Sequence, residues 1–200
     1  MEVKLYILKT AYIKEHFSNF LLHINGEQNK KYKSFVNEND QLLSVGSSYL
    51  QNMYTNNNEI YFNEFGKPLK KGIYFNVSHK DECVVLLTSH MHDVGVDIEQ
   101  IKGEYNDELA RYISNDDEYN FINKDLTNFY RLWVSKESLS KCQGEGVKIP
   151  PRDIPGLPLN GPMKYRNEDY FSKEFKYQNY IISLTVKDKN DFNIVLKVLG

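Results

Sequence analysis

The segment Val94-Gly95-Val96-Asp97-Ile98-Glu99 constrains the chain more than any other. Its alternation makes a strand with Val94, Val96 and Ile98 on one face and Gly95, Asp97 and Glu99 on the other. Two carboxylates then share a face, roughly 6.5–7 Å apart at Cα. Further on, Trp133, Glu137 and Lys141 recur at i, i+4 and i+8, on one side of a helix. A helix packed on the strand's polar face brings three carboxylates together, with a lysine one turn away. Such a cluster repels itself unless a cation neutralises it. Carboxylate oxygens without His or Cys favour Mg²⁺ or Mn²⁺. Each piece alone also has an ordinary meaning. Asp97 and Glu99 suit the solvated face of a half-buried strand, and Glu137 with Lys141 suits an i, i+4 pair worth a few tenths of a kcal/mol. Taken together, and with what precedes them, they favour a site.

A chain of 200 residues, 40% hydrophobic and 14% aromatic, can bury a sizeable core as one domain or two small ones. Its formal charge of -2 offers no general electrostatic attraction for nucleic acid or a membrane surface. The N-terminus lacks the apolar core of a signal peptide, and no apolar run approaches spanning length. Cys83 and Cys142 have neither metal nor redox spacing, which predicts reduced thiols in a cytoplasmic protein.

Val3, Leu5 and Ile7 alternate and predict an opening strand. Phe17, Phe20, Leu21 and Ile24 form a helical stripe that Asn25-Gly26 stops. Lys30, Lys31 and Lys33 fall in a connection before a second helix, whose inner face is Leu42, Gly46, Tyr49, Leu50 and Met53. Asn56-Asn57-Asn58 breaks the chain ahead of a short strand, Ile60 to Phe62. Gly66-Lys67-Pro68 is a rigid turn. Tyr74 to His79 and Cys83 to Leu87 read as a hairpin with His79 at its tip. A histidine beside Ser78, with Lys67 near in sequence, can hold a phosphate through charge-assisted hydrogen bonds. Residues 90–93 form the junction between halves. Leu109, Tyr112 and Ile113 suggest a helix, Thr127 suits the N-cap of the Trp133 helix, and Gly144 suits its stop. The Pro- and Gly-rich 144–161 stretch is loop, and residues 174–187 close the chain as a hairpin. The fold class is α+β, with one lobe over residues 1–90 and a second over 93–200.

Gly66-Lys67-Pro68, Phe75-Asn76-Val77-Ser78-His79, Val94 to Glu99, and Trp133-x-x-Lys136-Glu137-Ser138-x-x-Lys141 stand in the order found in 4′-phosphopantetheinyl transferases. The chain resembles the monomeric, surfactin-synthetase-activating type. Any one motif is weak, and four in order at compatible spacing are strong. The resemblance implies two pseudo-symmetric lobes with coenzyme A in the cleft between them. It implies transfer of the phosphopantetheine arm to a serine of an apo acyl or peptidyl carrier protein, releasing adenosine 3′,5′-bisphosphate. By matching position, Asp97, Glu99 and Glu137 would hold Mg²⁺, and Glu137, directly or through a metal-bound water, would help deprotonate the serine. Lys141 would stabilise charge on the diphosphate, with Lys136 supporting that region. Ser78 and His79 would contact coenzyme A phosphates, Lys67 and Pro68 would lie near the nucleotide, and Glu118 near the metal. An arginine of the family should fall near Leu43, and a lysine at Glu145. Without that arginine the 3′-phosphate would rely on His79 and on Lys30, Lys31 or Lys33, so discrimination against the dephospho form should be weak. Attack on a diphosphate needs positioning and charge neutralisation more than a covalent protein intermediate, which suits this set. Two other readings stand beside it: a Mg²⁺-dependent enzyme that only cleaves a nucleotide diphosphate, and a catalytically weak paralogue that binds carriers or coenzyme A. The acidic triad argues against the latter, since a binder needs no metal.

Overall fold

The computed structural model describes residues 1–55, 59–146 and 149–200. The Asn56-Asn57-Asn58 break lies outside the described residues. The chain runs β1 (Glu2–Lys9), then α1 (Thr10–Glu15), α2 (Phe17–Leu21), α3 (Gly26–Lys33) and α4 (Glu38–Tyr54). Two short strands, β2 (Tyr61–Phe62) and β3 (Pro68–Leu69), pair before β4 (Tyr74–Lys80), β5 (Cys83–Ser89) and β6 (Val94–Gln100). Three helices follow, α5 (Asp107–Ile113), α6 (Asp116–Ile122) and α7 (Leu126–Gln143). The chain then forms β7 (Gly161–Tyr165), β8 (Glu168–Tyr177), β9 (Tyr180–Val186) and β10 (Asn193–Leu199). The class is α+β, as the sequence predicts. Among the described residues no helix is long and apolar enough to cross a membrane.

Two four-stranded sheets carry the fold, ordered β10-β1-β5-β4 and β6-β9-β8-β7. Their alternation explains the layers. Val3, Leu5 and Ile7 of β1 and Val85 and Leu87 of β5 meet Val94, Val96 and Ile98 of β6 and Ile182 and Leu184 of β9 in one core. The opposite face of β1 and β5, through Tyr6, Leu8, Val84 and Leu86, packs on Ile13, Phe20, Leu42, Val45 and Leu50 of the early helices. The opposite face of β6 carries Gly95, Asp97 and Glu99, and α7 lies against it. Gly95 is what permits that approach: a Cβ there would stand 2.0 Å from the Ser138 carbonyl oxygen and 2.4 Å from the Cys142 nitrogen. The helix backbone rests on the strand with no side chain between them. Ser138, Ser183 and Thr185 fill the rest of this interface, their hydroxyls 2.8 Å apart in hydrogen bonds.

Several expectations change. Asn25-Gly26 starts a helix instead of ending one: the Asn25 side chain accepts from the Gln28 N–H, and the Gln28 side chain accepts from the Asn25 N–H. Lys30, Lys31 and Lys33 therefore sit in the last turn of α3 and not in a loop. Met53 is exposed, and Tyr54 beside it packs on the core and stacks on Tyr6 in its place. His79 lies within β4 opposite Val84, and the turn is Asp81-Glu82. Asp125, whose side chain accepts from the Asn128 N–H, caps α7 in place of Thr127. Gly144 does end that helix, at φ 79°, a left-handed conformation glycine takes at little cost. On α5 the buried face is Ala110 and Ile113, while Leu109 and Tyr112 are exposed. The hairpin is longer than expected and not final. After it, β10 crosses back and pairs in parallel with β1, Glu2 opposite Asn193 through Leu8 opposite Leu199. A 93–200 lobe thus lends its last strand to the first sheet.

Candidate active site

Three elements meet where the halves join. Ser78 on β4 donates from Oγ to Oδ1 of Asp97 on β6 at 2.9 Å. Lys141 on α7 donates from Nζ to the same Oδ1 at 2.5 Å and to Ser78 Oγ at 3.0 Å. Asp97 is buried, while the Lys141 side chain is 30% exposed. Asn76, two residues before Ser78 and on the same face of β4, accepts the Val96 N–H at 2.9 Å. That bond ties the edges of the two sheets and fixes the spacing of Ser78 from Asp97. Glu99 pairs with Lys80 at 2.7 Å. Glu137, one turn before Lys141, has its carboxyl pushed above the ordinary range, chiefly by burial and next by the Asp97 charge. Lys141 opposes the rise, and Glu99 adds to it.

The three carboxylates of the expected triad are near enough for Glu137 to feel both others, and two of them are paired with lysine. Among the described residues no group of three acidic, His or Cys side chains stands close enough to hold a metal ion. The reason is electrostatic: half-buried carboxylates need neutralisation, and Lys141 supplies it to Asp97 while Lys80 supplies it to Glu99.

A cleft of three chambers opens beside this network, and Pro68 lines all of them. The first, about 260 Å³, is bordered by His79, Lys31, Leu43 and Asn76. The second, about 940 Å³, shares Lys31, Ser48 and Gln51 with it and ends at Lys70. The third, about 250 Å³, has Glu137 and Lys141 on one wall and Phe65, Trp133, Ile149 and Ile154 on the others. Burial pushes the His79 imidazole below its ordinary value, with Lys141 and Lys31 acting the same way and Asp40 against.

The expected residues divide sharply. Ser78, His79, Asp97, Glu137, Lys141, Pro68 and Lys31 border the cleft or its network. Lys30 and Lys33 line none of the three chambers. Lys67 lines the third, but its buried ammonium donates to the Cys142 carbonyl at 2.7 Å and to Asp93 at 3.2 Å, clamping the turn to the other half. Lys136 and Glu118, expected near the diphosphate and the metal, bond to each other and to backbone groups. Lys136 is 1% exposed and bonds Glu118 at 2.7 Å and the carbonyls of Pro151 and Ile154 at 3.1 and 2.5 Å. Glu118 also accepts the N–H groups of Asn115 and Gly156. All their bonding capacity faces inward, away from the cleft, because five positions along a helix separate Lys136 and Lys141 by well over a quarter turn. Leu43 both borders the first chamber and belongs to the helical core. Glu145 pairs with Arg166. Sequence reasoning missed Asn76, though the alternation that found Ser78 puts it on the same face. It also missed Lys80 and Lys70.

Residues 93–185 match the family model of the 4′-phosphopantetheinyl transferase superfamily. The chain is 35% identical over 153 residues to 4′-phosphopantetheinyl transferase gsp of Aneurinibacillus migulanus, covering 69% of this chain and 64% of that protein. It is 28% identical over 151 residues to 4′-phosphopantetheinyl transferase Sfp of Bacillus subtilis (strain 168), covering 68% and 67%. It is 33% identical over 98 residues to 4′-phosphopantetheinyl transferase AcpT of Escherichia coli (strain K12), covering 43% and 49%. The aligned stretch thus spans about two thirds of the first two relatives and about half of the third.

Proposed function

The chain belongs to the 4′-phosphopantetheinyl transferase superfamily, and on that premise we propose that it moves the phosphopantetheine arm of coenzyme A onto a serine of an acyl or peptidyl carrier protein. The observation that carries the reading is the Ser78–Asp97–Lys141 network, set beside Glu137 at the mouth of a cationic cleft. Lys141 presents an ammonium to the diphosphate, and Ser78, whose own O–H goes to Asp97, accepts from that ammonium and steadies it. Charge-assisted hydrogen bonds of this kind are the strong ones, and here they cost little reorganisation because Asp97 holds both groups in place. The carrier serine oxygen attacks the phosphorus that bears the pantetheine. The bond from that phosphorus to the bridging oxygen breaks, and adenosine 3′,5′-bisphosphate leaves. Glu137 takes the serine proton. Its carboxyl, raised by burial and by Asp97, is a stronger base than a free glutamate.

The donor chemistry of the site fits a divalent cation, since Asp97, Glu99 and Glu137 offer only oxygen and Glu137 feels the charge of both others. As they stand the three are not close enough to share an ion, so Lys141 and Lys80 would have to turn to the phosphates before Asp97, Glu99 and Glu137 held Mg²⁺ or Mn²⁺, which would then neutralise charge on the phosphates. The test is intact-mass analysis of apo carrier proteins incubated with the chain, coenzyme A and Mg²⁺. A gain of one phosphopantetheine is expected. Cleavage of coenzyme A with no mass added to any carrier would leave a hydrolase in its place.

A further inference from the structure

Helix α7 carries Glu137 and Lys141, yet it meets β6 at a glycine. Packed elements ordinarily keep their register because side chains of one interdigitate with those of the other. At Gly95 that device is missing, since the Ser138 carbonyl and the Cys142 nitrogen occupy the space a Cβ would need. Close approach alone leaves a smooth contact along which a helix can slide. The lock comes from the neighbouring strand. Thr185 stands opposite Gly95 and Ser183 opposite Asp97, so both hydroxyls share the face that α7 covers. Both meet the hydroxyl of Ser138, the residue after Glu137, at 2.8 Å. We propose that Ser138, held by Ser183 and Thr185, is the positioning residue that fixes α7 along β6 and so sets Glu137 and Lys141 against Asp97. The inference rests on the transferase reading above.

Proton counting gives this contact a direction. A serine hydroxyl has one proton to give and two lone pairs with which to accept. Ser138 gives its proton to the Ser135 carbonyl at 2.9 Å, a group that only accepts. Ser183 and Thr185 must then both donate to Ser138, whose bonding capacity is thereby full. Ser172 on β8, opposite Thr185 and 2.9 Å from it, donates in turn to Thr185. Ser138, Ser172, Ser183 and Thr185 are all 2% exposed or less, so water does not stand in for a lost partner. A displaced helix leaves two buried donors unpaired, and that penalty confines α7 to one position. The tolerance is narrow, because a hydrogen bond is lost within about half an ångström and one residue of helix rises about 1.5 Å. Lys141 depends on it: its ammonium crosses the same interface to reach Asp97 at 2.5 Å and Ser78 at 3.0 Å. Reacting groups are as exacting, since a misplacement of about 1 Å costs roughly 10²-fold in rate. Apolar side chains of similar size would fill the space but specify the register less closely.

The experiment records the melting temperature of the full chain beside kcat and the KM for coenzyme A in carrier modification. Ser138→Ala should lower the melting temperature by about 5–10 °C, through two unpaired donors. Well below melting, its kcat should fall roughly tenfold while the KM stays within about twofold. The decisive variant combines Ser138→Ala with Ser183→Ala and Thr185→Val, which replaces all three hydroxyls by apolar groups. Ser172 keeps an acceptor in Met163 Sδ, 3.9 Å away. This triple variant should regain most of the lost melting temperature and little of the lost kcat. Ser172→Ala, at the outer end of the set, should lower the melting temperature and leave kcat unchanged. Recovery of kcat together with stability in the triple variant would overturn the positioning role and leave the hydroxyls as packing alone. An unchanged kcat in Ser138→Ala, or an equal loss in Ser172→Ala, would overturn it as well. Should Ser138→Ala not fold, the triple variant decides against the unaltered chain, and full kcat in it sinks the inference. Modification of no carrier by the unaltered chain would overturn the transferase reading, and this inference with it.

Discussion

The two sides of α7 carry the same chemical pair, an ammonium against a carboxylate, and use it in opposite ways. On the inner side Lys136 meets Glu118 with side chains 1% and 3% exposed, and both also bind backbone groups of the segment between Pro151 and Gly156. On the cleft side Lys141 meets Asp97 with side chains 30% and 8% exposed. The first pair is sealed from water and has no second arrangement available to it. The second borders a chamber. Burial, and not residue type, separates the two pairs.

Three experiments test that contrast, the largest effect first. Lys136→Met leaves Glu118 buried without its partner and should cost about 3–5 kcal/mol in chemical denaturation. Adding Glu118→Gln, which keeps an acceptor for the backbone N–H groups but removes the charge, should recover much of that loss. A drop below about 1 kcal/mol in the single variant would mean that this pair is no more a fastener than the other.

Lys141→Met should do the reverse. Ser78 still donates to Asp97, and the Lys141 side chain is 30% exposed, so the loss of stability should be smaller than that of Lys136→Met. Carrier modification should slow by roughly 10²–10³-fold, the usual loss of one preorganised donor at developing charge. Equal damage to folding and to turnover would erase the distinction between the two sides.

The smallest effect sharpens the cleft side. The Glu137 carboxyl titrates above its ordinary 4.5 in the folded chain, with burial the main cause and Asp97 the next. The native state therefore holds this proton more tightly than the unfolded chain does. Stability from the group is full below 4.5 and is lost as pH rises through the folded value. Glu137→Gln removes that loss, so the variant should be the more stable protein at neutral pH, and its advantage should disappear on acidification. Paired melting curves at the two pH values read it. An advantage that grows toward acid would reverse the sign of the shift.

The contrast also marks how far the sequence could be read. Alternation from Val94 to Glu99 and the Trp133, Glu137, Lys141 spacing placed the strand, the helix and their shared face correctly, because these periods are backbone geometry and need no tertiary information. Gly95 belongs to the same pattern, although nothing in its neighbours tells that a helix backbone will rest on it. Asn25-Gly26 was misread because asparagine signals a start and a stop with the same side chain, and only Gln28, three residues later, decides between them. Lys67, Lys136 and Glu118 bond partners that no motif announces, for a different reason. A motif fixes which residue stands at a position but not which partner claims its charge, and all three are claimed by groups distant in sequence. The 193–199 segment is hard to read because Ile194, Val195, Leu196, Val198 and Leu199 mix half-buried and exposed positions on a sheet edge, and its partner is β1.

That last pairing has a consequence for how the molecule comes into being. A ribosome releases β1 first and β10 almost the whole chain later, yet the two lie side by side with β1 in the middle of the sheet. Until residue 199 emerges, β1 has β5 on one flank and an open edge of backbone donors and acceptors on the other. Such an edge is a template for wrong partners. Closing a contact of that sequence separation is slow, and the nascent first sheet waits through the synthesis of the second. The chain is therefore most vulnerable to misassembly just before its synthesis reaches β10, and a chaperone that shields the free flank of β1 would act in that interval.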